Sequence, residues 1–335
     1  MSGTIAVIGA GSWGTALAVL LARKGCRVNL WARRQETVAT LLETRENKPY
    51  LPGVQLPPGV RPTTDLELAT RETDLIVLSV PSHAVRLTAR QLKPLLPPDT
   101  VIVNTAKGLE LDTRKRLSEV LAEEGLAKVA VLSGPSHAEE VGRGLPTTVV
   151  VAATGRETAE YVQDIFMDPT FRVYTNPDVI GVEFGGALKN IIALATGMAD
   201  GLGLGDNARA ALMTRGMAEI ARLGVALGGK AMTFAGLSGI GDLIVTCTSM
   251  YSRNRRAGIQ LGQGKPLAEV LASMGMVVEG VRTTAAARDL SRHHQIRMPI
   301  TTEIYQVLYA GKPVQDCVAA LMERPRTHEV ETGLW

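Results

Sequence analysis

Through the first half of the chain, short apolar runs alternate with longer stretches in which apolar residues return every three or four positions. TIAVIG (4–9), RVNLWA (27–32), DLIVLSV (74–80), TVIVNTA (100–106) and VAVLSG (129–134) are dominated by Val, Ile and Leu. Runs of this kind are strands buried on both faces, as in a parallel sheet covered by helices. The stretches between them, such as SWGTALAVLLARKG (12–25) and TRKRLSEVLAEEG (113–125), carry the helical period. The alternation predicts an α/β fold: a Rossmann-like, doubly wound, mostly parallel sheet with helices on both sides. PTTVVVAA (146–153) and FRVYTN (171–176) are expected to extend that sheet.

After NPDVIG (176–181) the pattern changes. Strand-like runs almost vanish, and Ala, Leu, Met and Gly recur at helical spacing in NARAALMTRGMAEIARLGVALGG (207–229) and KPLAEVLASMG (265–275). The division expected from this change is a dinucleotide-binding domain over residues 1–177 and an all-α substrate-binding and catalytic domain over residues 178–335. The tail from Met322 is polar and expected to be loosely ordered.

Composition narrows the class. A chain of 335 residues with 45% hydrophobic and 21% charged content suits an ordinary globular protein with room for two domains. A net charge of +3 without a block of like charges gives no nucleic-acid-binding face. Cys26, Cys247 and Cys317 lie far apart, which favours reduced thiols over a disulfide framework. The N-terminus lacks the basic region of a signal peptide, and no uninterrupted apolar run reaches the ~18 residues of a membrane span. A cytoplasmic protein with no membrane span is expected.

Gly9-Ala10-Gly11-Ser12-Trp13-Gly14 follows a strand and opens a helix, the setting in which GxGxxG binds a dinucleotide. Gly9 makes the turn, Gly11 admits backbone to a pyrophosphate, Gly14 allows helix–strand packing, and the helix N-terminus faces the anion. No Asp or Glu occurs from Gly9 through Gln35, and the second strand ends in Arg33-Arg34. An acidic residue there would hold ribose hydroxyls, whereas arginine suits a 2′-phosphate, so NADPH is the expected cofactor, with NADH also usable.

The segment GVEFGGALKNIIALATG (181–197) sets Lys189 in an apolar helix, where an unpaired charge costs several kcal/mol. Lysine is scarce, ten against twenty-six arginines, yet Lys107 follows a strand end, where ligands of open α/β sheets bind. Gly134 and Ser136 of SGPSHAEE (133–140) sit where backbone N–H groups begin a helix. Asp242 lies in a glycine-flanked turn that reads equally as a helix cap. Ser252-Arg253-Asn254 offers one phosphate a hydroxyl, a guanidinium fork and an amide, although SRNRR alone also reads as a solvated basic loop. His83, His137, His293 and His294 have no metal-site spacing and read as structural or surface residues; no metal is expected.

VIGAGSWGTALA, NTAKGLE, SGPSHAEE, VEFGGALKNIIALATG, GLSGIGDLIVTC and SRNRRAG, taken in this order, resemble the bacterial NAD(P)-dependent sn-glycerol-3-phosphate dehydrogenases. VVEGVRTTAAARDL, PITTEIYQVLY and LMERP fit too, so the resemblance runs from about residue 4 to residue 325. It implies NAD(P)H-dependent reduction of dihydroxyacetone phosphate to sn-glycerol 3-phosphate for glycerophospholipid synthesis, in a homodimer. It implies Lys189 as proton donor and acceptor, and a substrate site of Lys107, Gly134, Ser136, Asp242, Ser252, Arg253 and Asn254. For the cofactor it implies Ser12, Trp13, Arg33, Arg34, Lys107, Ala138, Arg253, Val277 and Glu279.

Under this reading an ammonium at Lys189 polarises the C2 carbonyl and supplies its proton. Burial and Lys107 lower its pKa while Asp242 raises it, and sequence leaves the balance open. Two readings compete: a β-hydroxyacid or 6-phosphogluconate-type dehydrogenase, against which the SRNRRAG segment and the VEFGGALKN setting of the lysine count, and a dinucleotide sensor without catalysis. The sensor should have lost Lys107, Lys189, Asp242 or Arg253, and all four are present.

Overall fold

A computed structural model describes residues 3–326, 328 and 329, so the end of the polar tail lies outside the described residues. The strands are β1 (Thr4–Ile8), β2 (Arg27–Trp31), β3 (Glu46–Asn47), β4 (Leu51–Gln55), β5 (Val60–Thr63), β6 (Leu75–Leu78), β7 (Val101–Asn104), β8 (Val129–Ser133), β9 (Thr147–Ala153) and β10 (Phe171–Asn176). Among the described residues the main sheet runs β10-β9-β8-β7-β6-β1-β2-β5. Neighbours are parallel except β8 and β9, and β3 and β4 form a separate hairpin. The chain leaves β1 for β2 on one side and later returns to β6 on the other. The crevice therefore opens outside the carboxyl ends of β1 and β6.

Strand alternation sends Ile5 and Val7 to one face, where Leu17 and Leu21 of α1 (Ser12–Arg23) join a continuous core. Ala6 and Ile8 point to the other face, into a second core. Helices α2 (Gln35–Thr44), α3 (Leu66–Thr70), α4 (Val85–Leu92), α5 (Leu117–Glu123), α6 (Ala138–Gly142) and α7 (Arg156–Phe166) complete this half. Each fully buried Leu or Ile contributes about 1.5–3 kcal/mol of apolar transfer energy.

From α8 (Val179–Gly201) onward the structure is helical: α9 (Gly205–Ala226), α10 (Ala231–Phe234), α11 (Asp242–Thr248), α12 (Arg253–Gly262), α13 (Leu267–Met274), α14 (Glu279–His293), α15 (Pro299–Ala310) and α16 (Val314–Met322). Asp178 caps α8 by accepting from the Gly181 amide at 2.9 Å. The same carboxylate accepts from the Lys230 amide and the Thr233 hydroxyl, at 2.8 and 2.6 Å. Every residue from Gly181 through Ala199 is buried, as in a helix that is apolar all round. By length and composition α8 could cross a bilayer, but here its neighbours are other helices and the sheet. A Cβ on Gly197 would overlap the Arg255 carbonyl, and one on Gly258 the Leu194 carbonyl. Only glycines let α8 and α12 lie so close, and the approach brings Asn254 of α12 to Asn190 of α8. Val131, Val150 and Ala152 of the sheet close over Val179 and Val182.

The architecture matches the fold expected from the hydrophobic pattern, with local differences. β5 is an added edge strand whose Pro62 pairs opposite Leu30; proline is tolerated at an edge but masks the strand in sequence. The helix expected over 113–125 is confined to Leu117–Glu123, because Leu109 and Arg116 form a β-bridge ahead of it. Asp242 is the first residue of α11, entered through a π-helical turn at Leu237–Gly241.

Candidate active site

The glycine-rich turn leaves β1 with Gly9 at φ 118°, and a Cβ there would lie 2.5 Å from the Ser79 carbonyl oxygen after β6. A Cβ on Gly14 would overlap the Gly9 carbonyl, so both glycines are required by the close approach of β1, α1 and β6. The space a Cβ would take at Gly11, just ahead of α1, is open. The buried Trp13 Nε1 has no acceptor. An open backbone cradle, a helix N-terminus and an idle donor fit a dinucleotide pyrophosphate. Ser12 donates its hydroxyl to the Tyr50 carbonyl at 2.6 Å and approaches Met276 Sδ at 3.8 Å. Arg33 and Arg34 are exposed beyond β2, and among the described residues neither has an acidic partner.

Three charges meet where the sheet faces α8. Lys107, beyond β7, donates to Asp242 Oδ2 at 2.8 Å and to the Gly134 carbonyl at 3.0 Å. Lys189 donates to Asp242 Oδ1 and, at 2.7 Å, to Thr246 Oγ1. Ser136 donates to the Gly134 carbonyl at 2.9 Å. Asp242 is 1% exposed and Lys189 5%, so the carboxylate is shared between two ammonium groups with little solvent. The cluster has one positive charge in excess, which suits an anionic ligand.

Burial pushes the Lys189 ammonium down to about 8, Lys107 acting the same way and Asp242 against it. This answers the balance left open by the sequence: desolvation wins. Asp242 is pushed up by burial, but the two lysines outweigh that and hold it below the usual carboxylate range. Burial and the Lys189 charge push His137 down to about 4, so it is neutral at physiological pH, with Nε2 3.4 Å from the Val245 carbonyl. Cys247 is pushed up to about 12 by burial, which keeps it an inert thiol. Among the described residues no group of three or more His, Cys, Asp or Glu is placed to hold a metal ion.

The SRNRR segment divides its labour. Ser252 caps α12, its hydroxyl accepting from the Arg255 amide at 3.2 Å. Asn254 is 8% exposed; its amide donates to Asn190 Oδ1 and accepts from the Gly280 amide, both at 2.9 Å. Arg255 pairs with Asp200. Arg253 has no carboxylate partner among the described residues and donates to the Val277 carbonyl at 3.0 Å. Burial lowers its pKa against the pull of Glu279. Ala138 is buried at the start of α6. Glu279, at the start of α14, binds Ser82 rather than standing free.

Lys107, Gly134, Ser136, Lys189 and Asp242 are thus joined by hydrogen bonds, and Arg253, Val277 and Glu279 form a second group. Arg33 and Arg34 stand apart at the end of β2. The sequence reading passed over Thr246 and Ser82. Thr246 was detectable in principle, four residues after Asp242 and hence on the same helical face. Ser82 gave no local signal, because its partner lies 197 residues away.

Comparison with known proteins gives the family. Sequence models described as NAD-dependent glycerol-3-phosphate dehydrogenase N-terminus and C-terminus match residues 4–159 and 178–319. The chain is 80% identical to a glycerol-3-phosphate dehydrogenase [NAD(P)+] of Moorella thermoacetica, covering 100% of both chains. It is 59% identical to the protein of that name from Pelotomaculum thermopropionicum, over 99% of this chain and 96% of the relative. The crystal structure of glycerol-3-phosphate dehydrogenase from Coxiella burnetii superposes with a TM-score of 0.93 at 42% identity, covering 96% of this chain and 99% of the other. The chain belongs to the NAD-dependent glycerol-3-phosphate dehydrogenase family.

Proposed function

We infer that the protein is an NAD(P)-dependent oxidoreductase that reversibly reduces dihydroxyacetone phosphate to sn-glycerol 3-phosphate. Family membership supports this, and the observation that carries the chemistry is the buried Lys107–Asp242–Lys189 cluster. When bound, the reduced nicotinamide supplies the hydride for the substrate's C2. Lys189 hands its proton to the developing alkoxide, and a donor with a pKa near 8 is well matched to that transfer. Asp242 holds Lys189 in place, and Lys107 adds positive charge where negative charge develops. Thr246 fixes the Lys189 head group from the other side.

In this reading Gly134, Ser136, Ser252, Arg253 and Asn254 complete the substrate site, with the unpaired Arg253 guanidinium suited to the phosphate. Gly9, Gly11, Ser12, Trp13, Gly14, Ala138, Val277 and Glu279 line the dinucleotide path with Lys107 and Arg253. The exposed, unpaired Arg33 and Arg34 favour NADPH over NADH. We place the domain boundary between residues 177 and 178, and take the enzyme to be a cytoplasmic homodimer serving glycerophospholipid synthesis. Oxidation of NADPH and of NADH by the purified protein with dihydroxyacetone phosphate tests the activity. Rapid oxidation, faster with NADPH, is expected; oxidation of neither cofactor would overturn the assignment.

A further inference from the structure

The cleft between the sheet and the helical domain is bridged near the glycine turn by a contact that plays no part in the proton transfer proposed above. Ser82 follows β6, on the rim of the crevice, and is 3% exposed. Its backbone N–H donates to Glu279 Oε1 at 3.0 Å and its hydroxyl to Oε2 at 2.6 Å. Both oxygens of one carboxylate are thereby held by one residue of the opposite domain. Bonds to an ionised acceptor are about twice as strong as neutral ones, and the paired geometry fixes orientation.

Three further observations converge there. A Cβ on Gly108 would lie 2.7 Å from Ser82 Cβ and 3.3 Å from Glu279 Oε2, so the residue after Lys107 closes the back of the contact. Arg253 holds the Val277 carbonyl, two residues before Glu279. Met276 meets Ser12 on the glycine-rich turn. The segment from Met276 to Glu279 is therefore fixed at one end by the turn after β1 and at the other by the turn after β6.

We propose that Ser82 is a positioning residue for the cofactor site, a latch that holds the Glu279 carboxylate and the first turn of α14 against the dinucleotide crevice. This rests on the reading above that Glu279 contacts the cofactor. Without the Ser82 hydroxyl, Glu279 keeps only a backbone donor and can rotate away, so the cofactor must order it on binding. Gly108 carries the same contact to the loop of Lys107, so loosening the latch also loosens one wall of the substrate lysine.

The test combines Ser82→Ala, Glu279→Gln and the double variant. NADPH dissociation constants are measured by fluorescence, and amide exchange at Ser82 is followed in protein without cofactor. The latch requires each single variant to weaken NADPH by about tenfold, the scale of one charge-assisted bond. The double variant should be no weaker than Glu279→Gln alone, and Ser82 amide exchange should accelerate in Glu279→Gln. Melting temperatures within a few degrees of the parent separate this from general unfolding. If Glu279→Gln weakens NADPH and Ser82→Ala does not, the latch is overturned while the role of Glu279 stands. If neither weakens NADPH although exchange accelerates, the contact joins domains only, and both the latch and the cofactor role of Glu279 fall. Additive losses would also overturn the proposal, because they would mean independent contributions.

Discussion

At the glycine turn the cleft is built from backbone; where the sheet faces α8 it is built from charged side chains, most of them buried. In the turn, Gly9 and Gly14 have no room for side chains, and what is left open is the backbone at Gly11 and the N-terminus of α1. Across the cleft, Lys189 and Asp242 are almost wholly buried and depend on each other and on Lys107. A backbone site needs little compensation, because its donors would otherwise meet water at a helix end. A buried charge needs a partner at every stage, since removing one leaves the other unpaired at a cost of about 3–5 kcal/mol. The first wall should therefore fail by steric intrusion, and the second by loss of chemistry.

Lys189→Ala should break the comparison hardest. The proposed proton donor is removed while Asp242 keeps Lys107, so the fold should persist. Turnover should fall by about 10²–10⁴-fold, the range for losing general acid catalysis. NADPH affinity should stay within about twofold, because the lost interaction belongs to the transition state. Steady-state kinetics with a separate binding titration decide this, and near-normal turnover would remove Lys189 from its role.

Gly14→Ala is the matching intrusion on the other wall. Its methyl would overlap the Gly9 carbonyl, which is backbone and can move only by distorting the turn. Overpacking of this kind costs about 1–3 kcal/mol. A lower melting temperature and an NADPH dissociation constant raised at least tenfold are expected, as about 1.4 kcal/mol is tenfold in affinity. Unchanged NADPH binding would mean that the turn tolerates bulk and that the backbone wall is softer than its geometry.

The same contrast decides what could be read from the sequence. β1, β2, β6, β7 and β8 and the turn at Gly9–Gly14 are local: a few consecutive residues carry the whole signal. β5 escaped because Pro62 and Arg61 hide an edge strand, and the β3–β4 hairpin because its residues carry no apolar run. On the helical side each candidate stood in a recognisable segment, but the pairings span long separations, 135 residues for Lys107–Asp242 and 53 for Lys189–Asp242. No periodicity reports such convergence. The resemblance to a family named the residues; only the fold shows that Asp242 is divided between two lysines, that Asn254 is tied to Asn190 and Gly280, and that Glu279 is held by Ser82.

Arg33 and Arg34 sharpen the comparison as charged residues at the end of β2 that are exposed rather than buried. Replacing both with Ala should weaken NADPH by about tenfold, as expected for loss of a solvent-facing charge-assisted phosphate contact, and leave NADH nearly unchanged. The ratio of the two kcat/KM values reports this directly. Equal losses would show that the pair does not read the 2′-phosphate.

The finest test is the pH dependence, because it reads the buried wall alone. Burial sets Lys189 near 8; in the proposed mechanism reduction needs its protonated form and oxidation the neutral amine. The rate of reduction should hold below pH 8 and fall about tenfold per unit above it, while oxidation rises through the same range and levels off. Asp242 opposes the downward shift, so Asp242→Asn should move both limbs to lower pH by about one unit or more, the effect of losing an adjacent opposite charge. A limb that stays near 8 in Asp242→Asn would show that the carboxylate orients Lys189 without setting its proton affinity. A limb that moves upward would mean that a group other than Lys189 carries the proton.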